Sequence, residues 1–133
     1  MDDRSKLLKF RNFTWDGVPV REYKTGDVPY KGVTRQTVLG EGAGEEPFAF
    51  LTRYFEIEPE GYSTLERHQH PHAVVVIRGK GRVTLGERTF DIAPFDCVYV
   101  SPGVTHQFHA CGTEPLGFLC TVDRVRDRPE VVS

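Results

Sequence analysis

The sequence predicts an all-β domain, a sandwich or barrel of the jelly-roll kind. Short strand-like segments recur at intervals of roughly ten residues, Gly- and Pro-containing turns separate them, and no segment carries the periodicity of an amphipathic helix. A jelly roll closes such strands into two packed layers around one interior.

Size and composition agree with one domain. The chain has 133 residues and a formal net charge of -2, with 17 basic and 19 acidic side chains spread along it. That balance offers nothing to nucleic acid or to an anionic membrane surface. No apolar run is long enough to span a bilayer, and Met1-Asp2-Asp3-Arg4 lacks a leader-like apolar stretch. Cys97, Cys111 and Cys120 are odd in number and lack CxxC spacing, so unpaired thiols in a reducing cytoplasm are expected.

The elements follow in order. Residues 1–30 read as an N-terminal arm with Phe10, Phe13 and Trp15 as apolar punctuation and a short strand around Val18 to Tyr23. An arm with so little core of its own suggests a homodimer. The barrel is expected over 31–123 and a charged tail over 124–133. Val33 to Leu39 is rich in β-formers, and Glu41 to Pro47 is a glycine-rich loop. Phe48 to Glu58 follows, with Phe55 and Ile57 on one face and Tyr54, Glu56 and Glu58 on the other, and Pro59-Glu60-Gly61 reads as a turn. Arg53 and Tyr54 also leave on opposite faces. Exposure is expected for them, with the barrel mouth, and a substrate carboxylate, as the alternative. Val74 to Ile77 is a buried strand broken at Gly79-Lys80-Gly81, which no helix follows and which is therefore a turn. Arg82 to Leu85 and Arg88 to Ile92 form a hairpin around Gly86-Glu87. Cys97 to Val100, His106 to Ala110 and Leu116 to Val122 complete the set. Phe55, Ile57, Val74, Val76, Tyr99 and Phe108 are the expected lining, and Cys97 is expected in the core.

The chemistry concentrates in Glu66-Arg67-His68-Gln69-His70-Pro71-His72. In a strand, alternate side chains share a face, so Glu66, His68, His70 and His72 would point together. Neutral imidazole ligates several transition metals, and carboxylate suits the harder ones. A purification tag would be contiguous and terminal, and this stretch is neither. His106 is the obvious partner from elsewhere in the chain.

From Gly61 to Gly79, and again from Ser101 to Ala110, the chain resembles the cupin superfamily. The first stretch follows the family's glycine, His-x-His, third-ligand, glycine pattern, with His72 seven residues before Gly79 where a glutamate is usual. The second follows Pro-x-Gly-x-x-His-x-x-x-Asn, with Gly103 and His106 in register but Ser101 and Ala110 replacing the proline and the asparagine. Phe95 stands where a glycine is usual. The resemblance implies a small β-barrel holding one divalent metal (Mn, Fe, Ni, Cu or Zn) on His68, His70, His72 and His106. Glu66 is the alternative to His70, because the family's commonest spacing puts the His-x-His pair on Glu66 and His68. If not a ligand, Glu66 is expected to pair with Arg67 or Arg53, or to serve as a base. His109 has the opposite parity from His106 and is expected to face solvent. A metal-dependent enzyme of dioxygenase or isomerase type acting on a small organic molecule is the implied function, with a non-catalytic ligand-binding or sensing protein as the alternative.

Overall fold

A computed structural model describes residues 3–42 and 44–133; Met1, Asp2 and Ala43, the last within the expected Glu41–Pro47 loop, lie outside the described residues. The described residues form strands and connections, with no helix. The strands are β1 (Phe10–Arg11), β2 (Thr14–Trp15), β3 (Arg21–Glu22), β4 (Lys31–Leu39), β5 (Phe50–Tyr62), β6 (Glu66–Arg67), β7 (His72–Arg78), β8 (Gly81–Leu85), β9 (Arg88–Ile92), β10 (Cys97–Val100), β11 (His106–Ala110), β12 (Leu116–Asp123) and β13 (Glu130–Val131). All pairings are antiparallel. One limb of the main sheet runs β10–β7–β12–β5–β4–β3 and the other β9–β8–β11–β6–β13; they meet where His109 of β11 pairs with Tyr62 at the end of β5. The sheet thus curls over itself into the expected jelly roll.

Alternation decides what fills the interior. The row Thr37–Arg53–Cys120–Val74 crosses β4, β5, β12 and β7 on the inner face, and Arg35–Phe55–Phe118–Val76 forms the next row. Phe108 of the opposite limb stacks on Phe118 at 4.5 Å between centroids. Val33, Ile57, Val83, Val98, Val100 and Leu116 belong to the same buried cluster. Inside–outside parity in β10 therefore belongs to Val98 and Val100. Tyr99, expected as lining, is 66% exposed, and Cys97, expected in the core, is exposed too.

Two elements depart from expectation for clear reasons. β5 does not turn at Pro59-Glu60-Gly61 but runs through to Tyr62. The extra residues are absorbed as a bulge, since pairing with β4 jumps from Val33↔Ile57 to Lys31↔Tyr62. Glu60 takes φ 69 there, and a Cβ on Gly61 would collide with the Lys31 carbonyl. The arm, in turn, folds onto its own barrel. β1 and β2 form a tight hairpin that presents Phe13 and Trp15 to Tyr54 at 6.1 and 5.2 Å. Arg78 lies 4.4 Å over the Phe13 ring, and Gln36 Nε2 donates to the Phe13 carbonyl at 3.0 Å. Tyr54 is consequently 0% exposed on the outer face of β5, where its hydroxyl donates to Glu56 at 2.9 Å. Phe13 and Trp15 thus find their cover within the chain, while Phe10 stays 45% exposed.

Candidate metal centre

His68 and His70 lie in the bend between β6 and β7, His72 opens β7 and His106 opens β11. Strand alternation alone therefore does not gather the histidines, since the strand is interrupted at 68–71. What fixes the bend is the second motif. Ser101-Pro102-Gly103 turns with Gly103 at φ 78, and the Gly103 N–H donates to the His68 carbonyl at 2.8 Å. That bond ties the loop before β11 to the histidine bend, and Glu66 of β6 pairs with His106 directly.

The result is a cluster of His68, His72 and His106 whose ligand-capable nitrogens all lie within 4.8 Å of one another. His68 Nδ1 bonds the His70 carbonyl at 2.6 Å and His106 Nδ1 bonds the Val104 carbonyl at 2.9 Å. Carbonyl oxygens only accept, so both rings carry their proton on Nδ1 and present a bare Nε2, the tautomer a metal requires. His72 Nδ1 lies 3.2 Å from Cys120 Sγ, and its buried Nε2 has no partner. An orphaned buried nitrogen is costly unless something outside the protein satisfies it. Burial, reinforced by neighbouring imidazoles, pulls the His68 pKa down to about 4 and the His72 pKa to about 2. Burial likewise lowers His106. All three are neutral at pH 7 and fit a divalent transition metal.

His70 is brought to the same place but into different company. Its ring stacks on His68 at 3.6 Å, while its Nδ1 lies 2.7 Å from Asp127 Oδ1. Asp127 also accepts the backbone N–H groups of Gln69 at 2.7 Å and His70 at 2.8 Å, which hold its carboxyl well below the usual carboxylate range. His68, His70 and Asp127 make a second group of convergent donors. Glu66 belongs to neither group. Its Oε1 accepts from Tyr23 Oη at 3.0 Å and Lys24 Nζ at 2.8 Å, and its Oε2 is buried without a partner. The expected partners are otherwise occupied: Arg67 pairs with Glu130 at 2.8 Å, and Arg53 turns inward. His109 points away from the cluster, half-buried beside Tyr62, with its Nε2 3.0 Å from Gln107 Oε1.

These groups line a cavity of about 380 Å³, large enough for a small organic molecule. Val33, Phe55, Phe108 and Phe118 give it an apolar wall, and Arg35, Arg53 and Arg126 a cationic one. Its remaining walls come from outside the barrel strands. Tyr23 and Lys24 arrive from the segment before β4, and Arg126, Asp127 and Pro129 from the segment after β12. That last segment is strapped across the mouth by β13, which pairs with β6 through Glu130↔Arg67 and Val131↔Glu66. Sequence reading missed Lys24, Arg126 and Asp127 altogether, because Lys24 was one charge in a polar arm and the tail showed only charge and no strand signal.

An all-β barrel with histidines gathered from a bend and from a second, Gly-led turn defines a class of single-site jelly-roll protein. The sequence profile of the cupin domain matches residues 53–122, and the chain belongs to that family. It is similar to the 1-methylthio-D-xylulose 5-phosphate methylsulfurylase of Rhodospirillum rubrum, with 41% identity over 98% of this chain and 81% of that protein. Among solved structures it resembles a cupin 2 conserved barrel domain protein from Rhodopseudomonas palustris, 42% identical, with a TM-score of 0.86 over 96% of this chain and 87% of that one. A cupin 2 domain-containing protein from Halorhodospira halophila is 47% identical, with a TM-score of 0.73 over 99% of this chain and 86% of that one.

Proposed function

We propose that this cupin is a metal-dependent enzyme that moves a proton on a small carbonyl compound, with His68, His72 and His106 as the metal ligands. The observation that carries the reading is the pairing of two unlike histidine arrangements in one cavity: three imidazoles with free Nε2 atoms, and His70 fixed by Asp127 beside them. The metal would supply a Lewis acid for a substrate oxygen. His70 then carries the proton. Asp127 accepts from Nδ1–H, which leaves Nε2 to take a proton from the substrate and return it, the division of labour a histidine base needs. The phenylalanine wall excludes water and keeps the charges effective. Of the two expected reaction types, this dyad favours the isomerase type over the dioxygenase type. The Rhodospirillum relative is named for a ketose derivative, a molecule with a carbonyl flanked by acidic C–H bonds, and we assign this chain a substrate of that class.

The test uses untagged protein purified without added metal. Elemental analysis should find about one transition metal per chain. Ketoses, methylthio-ketoses and their phosphate esters incubated in deuterium oxide should exchange hydrogen next to the carbonyl, followed by proton NMR. Exchange should vanish in His106→Ala and in His70→Ala. Protein that carries no metal, or exchanges none of these compounds, would refute the reading.

A further inference from the structure

The half-buried cations among the described residues are Lys24, Arg35, Arg53, Arg78 and Arg126. Lys24 has Glu66 at 2.8 Å, and Arg78 has Glu56 at 3.0 Å and Glu114 at 3.5 Å. Arg35, Arg53 and Arg126, by contrast, have no carboxylate of the described residues within 4.0 Å, and these three line the same cavity. Arg35 and Arg53 share the inner face of the sheet, since Arg53 faces Thr37 across β4–β5 and Arg35 is two residues along from Thr37. That makes them diagonal neighbours, roughly 7–8 Å apart at the backbone. The Arg53 guanidinium lies 4.9 Å over the Phe55 ring, and its Nε is buried with no acceptor. Arg126 comes down from the strap, held by Nη1 donating to the Asp123 carbonyl at 3.0 Å. It feels the repulsion of both other arginines, eased by Glu41; Glu66 and Asp127 line the cavity too, engaged by Lys24 and by the histidine bend. Three guanidinium groups brought together in a half-dry wall repel one another unless an anion sits among them.

We propose that Arg35, Arg53 and Arg126 form a subsite for a phosphoryl group, so that the substrate is a phosphate monoester whose far end is held by the arginines while its carbonyl lies at the histidines. A tetrahedral dianion offers oxygens enough for three forked donors, whereas one carboxylate satisfies about one fork. Arg53 is also close enough to His72 for its charge to act on that imidazole, so the two subsites are contiguous in one cavity. The subsite stands on the arginine geometry alone; only the identification of its occupant with the substrate's own phosphate rests on the enzymatic reading above.

Inorganic phosphate is the probe. Calorimetric titration of the full-length protein should show saturable binding, tighter than acetate. Arg35→Gln and Arg126→Gln should each weaken it at least tenfold without lowering the melting temperature, and Arg126→Lys should lose less. His106→Ala, which removes a proposed metal ligand, should leave phosphate affinity within about twofold. Unchanged affinity in both glutamine variants, acetate binding as tightly as phosphate, or loss of phosphate binding in His106→Ala would each overturn the proposal, the last by placing the anion on the metal. If the protein proves metal-free yet binds phosphate through these arginines, the enzymatic reading fails and the subsite stands.

Discussion

Replacing His70 and His106 separately by alanine distinguishes a three-histidine from a four-histidine metal set. Fully protein-held zinc sites gain roughly 10–16 kcal/mol on binding, about 2.5–4 kcal/mol for each of four ligands. Losing a true ligand therefore weakens the metal by about 100-fold or more. His106→Ala is expected at that level, because it removes one of the three nitrogens gathered within 4.8 Å. His70→Ala removes a ring stacked on His68 but spares what positions it: His68 Nδ1 bonds the main-chain carbonyl of residue 70, and Asp127 keeps the backbone N–H groups of residues 69 and 70. An effect of that indirect kind is expected at the lower end of the roughly 10–100-fold that losing a supporting group typically costs. Competition against a chromogenic chelator gives both dissociation constants. If His70→Ala loses metal as completely as His106→Ala, the ligand set includes His70 and its role as a proton carrier falls.

Phe95 takes φ 75 while its side chain is 80% exposed, so Phe95→Gly should relieve left-handed strain of about 1 kcal/mol and raise the melting temperature by roughly 2–4 °C; a lower melting temperature would show that the ring contributes more than it costs. Cys97 and Cys111 are exposed, whereas burial pushes the Cys120 thiol up to about 11, so iodoacetamide should label two cysteines natively and the third only in denaturant, as read by intact mass. The His72 pKa is depressed on folding, so below its ordinary value of 6.5 the unfolded chain takes up the proton that the folded chain refuses. Metal-free protein should hold full stability above pH 6.5 and lose it as pH falls, on the order of 2 kcal/mol from this residue by pH 5, measured by urea unfolding.

Much of the barrel was legible because local rules decided it. The two-residue loop at Gly86-Glu87 pairs Leu85 with Arg88 as its composition demands, and Leu116 to Val122 alternates with its even-numbered side chains inward. Gly103 and His106 pointed to the second half of the candidate site through their match to the cupin family's second motif. Other features depend on partners distant in sequence. Pro59-Glu60-Gly61 has turn composition, yet opposite β4 it becomes a bulge, and nothing within those residues distinguishes the two. Phe13 and Trp15 were visible as apolar residues in need of cover, but only the fold shows that Tyr54 provides it. Asp127 reaches His70 from 57 positions along the chain, and Glu130 reaches Arg67 from 63. Charged residues in a short tail carry no local signature of such a strap.

The strap and the segment before β4 divide the cavity between two kinds of wall. The histidines stand on the barrel's own strands and turns, where the core and the Gly103 bond fix them. Lys24, Arg126, Asp127 and Pro129 stand on flanking segments that are tied to the barrel at a few points, Lys24 by Glu66 and Asp127 by the histidine bend. Substitutions in those segments at positions other than Asp127, which holds the histidine bend, can reshape what enters the cavity while the barrel keeps its fold and the histidines their spacing. A lineage carrying this barrel can therefore change its choice of substrate by drift in two short peripheral stretches, long before the histidines themselves must alter.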